Sequence, residues 1–379
     1  VTQSNRSKLL LLLVTALAYR ATTNMLQTSL PLYIKYHTDA SNLDVSLVMA
    51  AAAASSFAAI AYFGLKHTAI KKAVVVGLIA LTIGTSFYIV SQGILEATAV
   101  SVFTYIGAGV QPLLLTSVVL TSNPARRERN ISVFAAMLSL SLILGPLYQS
   151  IMLRASNDNL SVSMVSFAPL AALALILFSS VKFEDSAIIG EKLDLSFLKN
   201  RVYVLGILAD VIYSIPFSAV ITFGGILAKQ SFDANYTIIE LLFSAYFGAS
   251  LVTRLVSLKI RSKFYSVVMA LIVTLLGLTV MGLSTNFSEL ALSFVLLGVP
   301  HGVAYSAGAS YIASAVPRKS LAAANLVSSF LFGAVSFGIL PVLGVLAQFT
   351  GLRESFLFIE APVALIGVAF VTLFVSRNR

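Results

Sequence analysis

Apolar runs separated by short polar punctuation dominate the chain, and twelve can be delimited: 9–34, 45–65, 73–95, 97–121, 131–153, 161–181, 202–228, 236–258, 264–284, 289–316, 321–349 and 355–376. Each approaches or exceeds the roughly 20 residues that an α-helix needs to cross a hydrocarbon core. The pattern predicts an all-α membrane protein with twelve transmembrane helices, since helices satisfy their backbone polar groups within one span. The first run, Leu9 to Ile34, is longer than the ~7–15-residue core of a signal peptide, and no small-residue cleavage site follows it. It reads as a retained helix. Connections are short except 182–201, KFEDSAIIGEKLDLSFLKNR, a mixed-charge linker in which LDLSFL can form a short surface helix.

Composition agrees with the pattern. The chain of 379 residues is 58% hydrophobic and 11% charged, against about 25% charged for a soluble globule. Its net charge of +10 resembles that of a nucleic-acid binder, but the basic residues sit in short loops between apolar runs, where they act as topology signals. With the N-terminus in the cytoplasm, nineteen of the 25 Lys and Arg fall on the inner side and four (Lys35, Arg154, Lys229, Arg353) on the outer side. Arg20 and Arg254 lie within spans. That asymmetry supports the span count and predicts two cytoplasmic termini. No cysteine is present and the three histidines are scattered, so thiolate or histidine metal sites, and cofactors held by them, are not expected.

Sliding the chain against itself by 193 residues pairs Asn42 with Asn235, Lys66 with Lys259, Glu96 with Glu289, Gly109 with Gly302, Pro124 with Pro317 and Gly145 with Gly338. Six helices intervene, an even number, so the halves run the same way. Parallel repeats of this kind are one architecture of secondary transporters. The expected organisation is a six-helix bundle over 1–181, a cytoplasmic linker over 182–201 and a second bundle over 202–379.

Several stretches resemble the major facilitator superfamily over nearly the whole chain. Leu30-Pro31-Leu32-Tyr33 closes the first span like the family's Pro-hydrophobic-Tyr ending. GLKHTAIKK (Gly64 to Lys72) is a degenerate form of its Gly-x-x-x-Asp-Arg-x-Gly-Arg-Arg loop, and RLVSLKIRSK (Arg254 to Lys263) is the equivalent in the second half. YIGAGVQP, with Gly107, Gly109 and Pro112, resembles the fourth-helix Gly-x-Gly-x-x-x-x-Pro pattern. LGPLYQS, with Gly145 and Pro146, resembles the Gly-Pro-x-x-Gly-Gly motif of proton-coupled efflux members, with Gln149 and Ser150 in place of the two glycines. The resemblance implies two six-helix bundles, alternating access, and a central cavity lined by helices one, four, seven and ten.

Charges within hydrocarbon cost about 2.5–3.5 kcal/mol each even on insertion scales, so mid-span polar residues are the candidates for chemistry. Helix one carries Arg20, Asn24 and Gln27 on one face; helix four carries Thr104 and Gln111. Helix seven carries Asp210, Tyr213, Ser214 and Ser218, and helix ten carries His301, Tyr305 and Gly308. Spacing thus selects the same four helices as the resemblance. Expected substrate contacts are Arg20, Asn24, Gln27, Gln111, Tyr213, His301 and Tyr305. Expected proton carriers are Asp210 and His301, the latter titrating by nature near neutral pH. Two readings stay open for Arg20 and Asp210: an ion pair between the halves, which leaves Asp210 a poor proton carrier, or separate binding roles. His301 is equally readable as a satisfied interior histidine. Glu240 and Glu360 lie five or six residues from the outer ends of helices eight and twelve, within reach of water, which suggests gating or local roles. Gly145, Pro146 and Arg254 read as structural or hinge positions.

No GxxxxGK[ST] loop is present, so ATP is not an evident energy source, and no nucleophile or metal cluster marks an enzyme. The expected protein is a monomeric secondary transporter of the plasma membrane that works with protons and a small-molecule substrate. Proton-coupled efflux of drugs or metabolites is the first reading; proton symport of an organic anion, favoured by Arg20, is the second.

Overall fold

The computed structural model describes residues 5–65, 69–122, 126–182, 196–257, 259–260, 262–316 and 321–378. Twelve helical spans long and apolar enough to cross a membrane occur among them, matching the twelve apolar runs. The helices are α1 (Asn5–His37), α2 (Asn42–Leu65), α3 (Ile70–Phe87), α4 (Ile94–Ala108), α5 (Gln111–Thr121), α6 (Arg127–Ala155), α7 (Leu160–Val165) and α8 (Ala168–Ser179). After the linker come α9 (Arg201–Ala219), α10 (Gly225–Phe232), α11 (Tyr236–Ser257), α12 (Lys263–Leu283), α13 (Phe287–Ala315), α14 (Leu321–Gly338), α15 (Leu340–Phe349) and α16 (Leu352–Asn378).

Sixteen helices make twelve spans because four spans are interrupted. α4 and α5 form one, as do α7 with α8, α9 with α10, and α14 with α15. Pro112, Pro169 and Pro341 lie in the first turn of α5, α8 and α15. A helix tolerates proline there because the missing N–H has no intrahelical acceptor in any case. The α9–α10 span is different. Pro216 lies inside α9, and a π-helical turn, Val220–Gly224, follows it before α10 resumes. Single π-turns are rare and concentrate at functional sites.

The chain divides into two compact units, Val1–Ala40 with Val48–Glu191 and Asn235–Ser244, and Ser41–Leu47 with Lys192–Ala234 and Ala245–Arg379. In the first, α1 packs on α6 and α8, and α3 on α4 and α8. In the second, α9 packs on α13, α16 and α14, and α12 on α13 and α16. Most of the expected linker, 183–195, lies outside the described residues, as do Lys66, His67, Pro124, Arg261, Pro317 and Lys319. Of the expected surface helix in LDLSFL, Ser196–Lys199 is a 3-10 turn, and it is not simply a surface feature. Phe197 is buried there against Tyr203, Ile312 and Ala324.

The 193-residue spacing recurs in the elements. α3 and α12 begin at Ile70 and Lys263, and α4 and α13 at Ile94 and Phe287, each pair at that spacing. Glu96 and Glu289 do the same local work. The Gln92 N–H donates to Glu96 Oε2 at 2.8 Å, and the Thr285 N–H donates to Glu289 Oε2 at 2.7 Å. Each carboxylate thus binds a backbone donor just ahead of its own helix, where the helix dipole also favours it. A methyl at Gly84 would collide with Thr104, and one at Gly277 with Leu297, again the same spacing. Gly109 and Gly302 back onto backbone carbonyls of α2 and α11, at Ser56 and Ser250. Glycine permits this close helix approach where any side chain would hold the backbones apart.

Candidate functional site

In the first unit, Arg20 lies half-buried on α1, with Nη1 3.4 Å from Thr23 Oγ1 and Nη2 3.4 Å from Gln27 Oε1. The sequence periodicity therefore places Arg20 and Gln27 correctly on one face. Asn24 has a different duty from the one its spacing suggests. Its side chain is buried, and Nδ2 donates to the Leu142 carbonyl on α6 at 3.0 Å. Leu142 precedes Pro146 by four residues, so proline deprives that carbonyl of its helical donor. Asn24 supplies the missing hydrogen bond from the neighbouring helix. Gly145 lets it approach: a methyl there would stand 3.2 Å from the Ala21 carbonyl and 3.6 Å from Asn24 Nδ2. The Gly145-Pro146 motif is thus a fitted contact between α6 and α1. The Asn24 Nδ2 is committed to it, while its Oδ1 is buried without a hydrogen-bond partner.

Gln111 is half-buried and opens α5 at the break in the fourth span. Beside it, the Tyr19 hydroxyl donates to the Ala108 carbonyl at 2.5 Å, satisfying an oxygen at the end of α4. Thr104 does not share Gln111's environment. It is buried, donates to Val100 within its own helix at 2.6 Å, and faces Gly84 on α3.

Glu240 also departs from expectation. Its carboxyl is fully buried, receiving hydrogen bonds from Ser29 Oγ at 2.6 Å and Thr28 Oγ1 at 3.1 Å, both on α1. Depth along α11 put it near water, but the fold brings the hydroxyls of α1 over it. Glu360 is half-buried on α16 and accepts from Thr279 Oγ1 on α12 at 2.7 Å, a hydrogen bond between two spans.

The second unit gathers the remaining candidates around α9. Asp210 is buried; Oδ2 accepts from Ser328 Oγ on α14 at 3.1 Å, while Oδ1 is buried without a hydrogen-bond partner. Gly308 on α13 faces that oxygen so closely that an added methyl would collide with it. One turn farther along α9, Tyr213 is buried with its ring 5.5 Å from the His301 ring. His301 is enclosed by aromatic residues: Phe217 stacks on it at 5.0 Å, Tyr246 lies at 5.8 Å and Phe247 at 5.9 Å. Its Nδ1 is 2.7 Å from Ser250 Oγ, which fixes the ring plane. Tyr305 is about half exposed, with the Arg254 guanidinium 4.9 Å above its ring. That is cation–π geometry, with α11 held to α13 through Arg254. Ser214 and Ser218 bond back to Val211 and Ser214 of their own helix, and so relieve the backbone rather than line the site.

The sequence reading missed Phe217, Tyr246, Phe247, Ser250 and Ser328. Phe217 was available from spacing, since Asp210, Tyr213 and Phe217 follow one another by three and four residues. Arg20 belongs to the first unit and Asp210 to the second.

Asp210 shares a helix with Tyr213, whose ring neighbours the aromatic-walled His301, in the second unit of a twelve-span protein. Residues 12–227 and 202–379 both match the Major Facilitator Superfamily, and the chain belongs to it. It is therefore a multi-pass membrane protein and a secondary transporter of a small-molecule substrate, not an enzyme. Solved structures share the fold. A bacterial homologue of the human lysosomal transporter Spinster, inward-facing and occupied, aligns with a TM-score of 0.76 at 14% identity, covering 100% of this chain and 98% of that one. The nucleoside transporter NupG gives 0.77 at 12% identity, with 97% and 100% covered. A peptide transporter, POT, in complex with sulfate gives 0.79 at 15% identity, with 96% and 94% covered. No curated protein matches the sequence.

Proposed function

We propose that the protein exports a small, largely apolar organic solute in exchange for protons, with Asp210 as the principal proton carrier. The single observation that carries this reading is the Asp210 carboxyl, buried in α9 with Ser328 on one oxygen and nothing on the other. A carboxylate there is costly, and taking up a proton removes the charge. In the exchange cycle a proton enters from the outer side and protonates Asp210. After the carrier reorients, the proton leaves to the cytoplasm, and the departing proton and the arriving solute exclude one another. His301 serves as a second proton-binding group, and its aromatic surroundings suit a flat or apolar solute. Tyr213 and Tyr305 add polar edges to that wall. Gly145 and Pro146, which resemble the opening of the efflux members' motif, hold α6 on α1.

The other halves of the reading follow from charge and repeat. Both termini face the cytoplasm, and the bundles 1–181 and 202–379, joined through 182–201, act as a monomer by alternating access in the plasma membrane. The peptide transporter and NupG make organic solutes a sensible class to screen. One observation favours proton symport of an organic anion instead. Arg20 sits among Thr23 and Gln27 at 3.4 Å contacts, long enough to yield to a carboxylate.

The direction of the imposed gradient separates the two. In liposomes acid on the inside, exchange drives solute inward as protons leave, whereas symport requires acid on the outside. Uptake only with acid outside sinks the export reading.

A further inference from the structure

A polar cavity lies at the end of the first unit where α1 and α6 begin. Arg6 and Leu9 of α1 line it together with Arg126, Arg129, Asn130 and Val133 at the start of α6, around a volume of about 470 Å³. Three guanidiniums converge on one space, and among the described residues no acid lines it. Arg6, Arg126 and Arg129 are exposed, so a ligand can reach them.

The local structure adds to the charge. Arg126 is the N-cap of the 29-residue α6, and its side chain makes no capping hydrogen bond. A helix N-terminus attracts anions through its backbone donors and its dipole. Asn130 is held in place because its Nδ2 donates to Ser122 Oγ at 2.8 Å, fixing the first turn of α6 to the end of the fourth span.

Depth identifies the medium. α1 has 33 residues, roughly 50 Å at about 1.5 Å per residue, and so outruns a hydrocarbon core of about 30 Å. Its first turns, with Arg6, therefore emerge at headgroup level. Leu9 and Val133 give the same cavity an apolar wall. A free phosphate has no use for that wall, but a lipid that brings a phosphate and the start of its acyl chains does.

We propose that this cavity is a specific site for the phosphate headgroup of an anionic membrane lipid. The guanidiniums hold the phosphate oxygens in paired hydrogen bonds, the α6 terminus adds backbone donors, and Leu9 and Val133 take the glycerol and upper acyl carbons. The proposal does not depend on the transported solute.

The test uses the full chain, purified in detergent and titrated with phosphatidylglycerol or phosphatidylcholine, with bound lipid counted by native mass spectrometry. Wild type is expected to retain phosphatidylglycerol in preference to phosphatidylcholine. Arg126→Gln with Arg129→Gln is expected to weaken that binding roughly fivefold for each arginine removed, the equivalent of about 1 kcal/mol per basic side chain. Arg127→Gln, an exposed arginine of the same turn outside the cavity, should leave it unchanged. Arg6→Gln alone, at the start of α1, provides the answer if the double variant does not purify as a monodisperse species. Equal losses in Arg127→Gln and the cavity variants would mean diffuse surface charge and would overturn the site. Displacement of phosphatidylglycerol by an equal concentration of inorganic phosphate would make the occupant a soluble anion and overturn the lipid assignment.

Discussion

Asp210→Asn is expected to reduce gradient-driven solute accumulation in liposomes to the leak level while leaving solute-for-solute exchange intact. Asparagine has the same shape and its carbonyl can still accept from Ser328 Oγ, which now lies 3.1 Å from Asp210 Oδ2, so the fold should persist. What disappears is the ability to gain and lose a proton. Exchange of one solute molecule for another needs no net proton movement and should survive. Glu240→Gln is the matched control. Glu240 is as deeply buried but already holds two hydroxyl donors, Ser29 on Oε1 and Thr28 on Oε2; a glutamine keeps one of them at its carbonyl oxygen, and its amide N–H can donate to the other hydroxyl. Coupling should remain in that variant. Loss of coupling in Glu240→Gln with coupling preserved in Asp210→Asn would move the proton site from the second unit to the first.

Gly308→Ala should damage the same site without replacing a titratable group. α9 and α13 meet through two glycines: a methyl at Gly206 would lie 3.0 Å from the Gly308 carbonyl, and one at Gly308 3.1 Å from the Gly206 carbonyl. The Gly308 methyl would also stand 3.0 Å from Asp210 Cγ and closer still to Oδ1. To admit it, α13 must move off α9 or the carboxyl must leave its place. Overpacking of this kind costs about 1–3 kcal/mol. The expected result is a lower unfolding midpoint in detergent together with loss of gradient-driven uptake. Gly248→Ala provides the comparison, since nothing lies within 4 Å of an added methyl and alanine favours the helix. Its stability should be unchanged or higher. Equal behaviour of the two variants would show that the Gly206–Gly308 contact is not tight.

The spans were legible because a hydrocarbon solvent leaves a simple signature, an uninterrupted apolar run between charged loops. Their interruptions were less so. The Gly107, Gly109 and Pro112 motif was visible, but its spacing alone did not show that Pro112 stands in the first turn of a new helix, α5. The π-turn after Pro216 had no composition signal. In the site, periodicity found Arg20 with Gln27, and Asp210 with Tyr213, because residues three, four or seven apart share a helix face. It failed for Asn24 and Glu240, whose partners lie 118 and 211 residues away. Asn24 was the more recoverable of the two. Pro146 announces an unsatisfied carbonyl at Leu142, and a buried amide on an adjacent helix is a natural donor. The rings around His301 carry no polar signal in the sequence; two helices contribute them, and only one of those, α11, lies outside the four polar-striped spans.

Proton release on solute binding tests the central claim most directly. Purified wild-type protein in weakly buffered detergent solution, mixed with a transported solute, should acidify the medium by close to one proton per molecule bound when the pH favours protonated Asp210. The Asp210→Asn protein should bind solute with no acidification. Solute binding that releases no proton from wild type at any pH, or that releases the same amount from Asp210→Asn, would contradict the account.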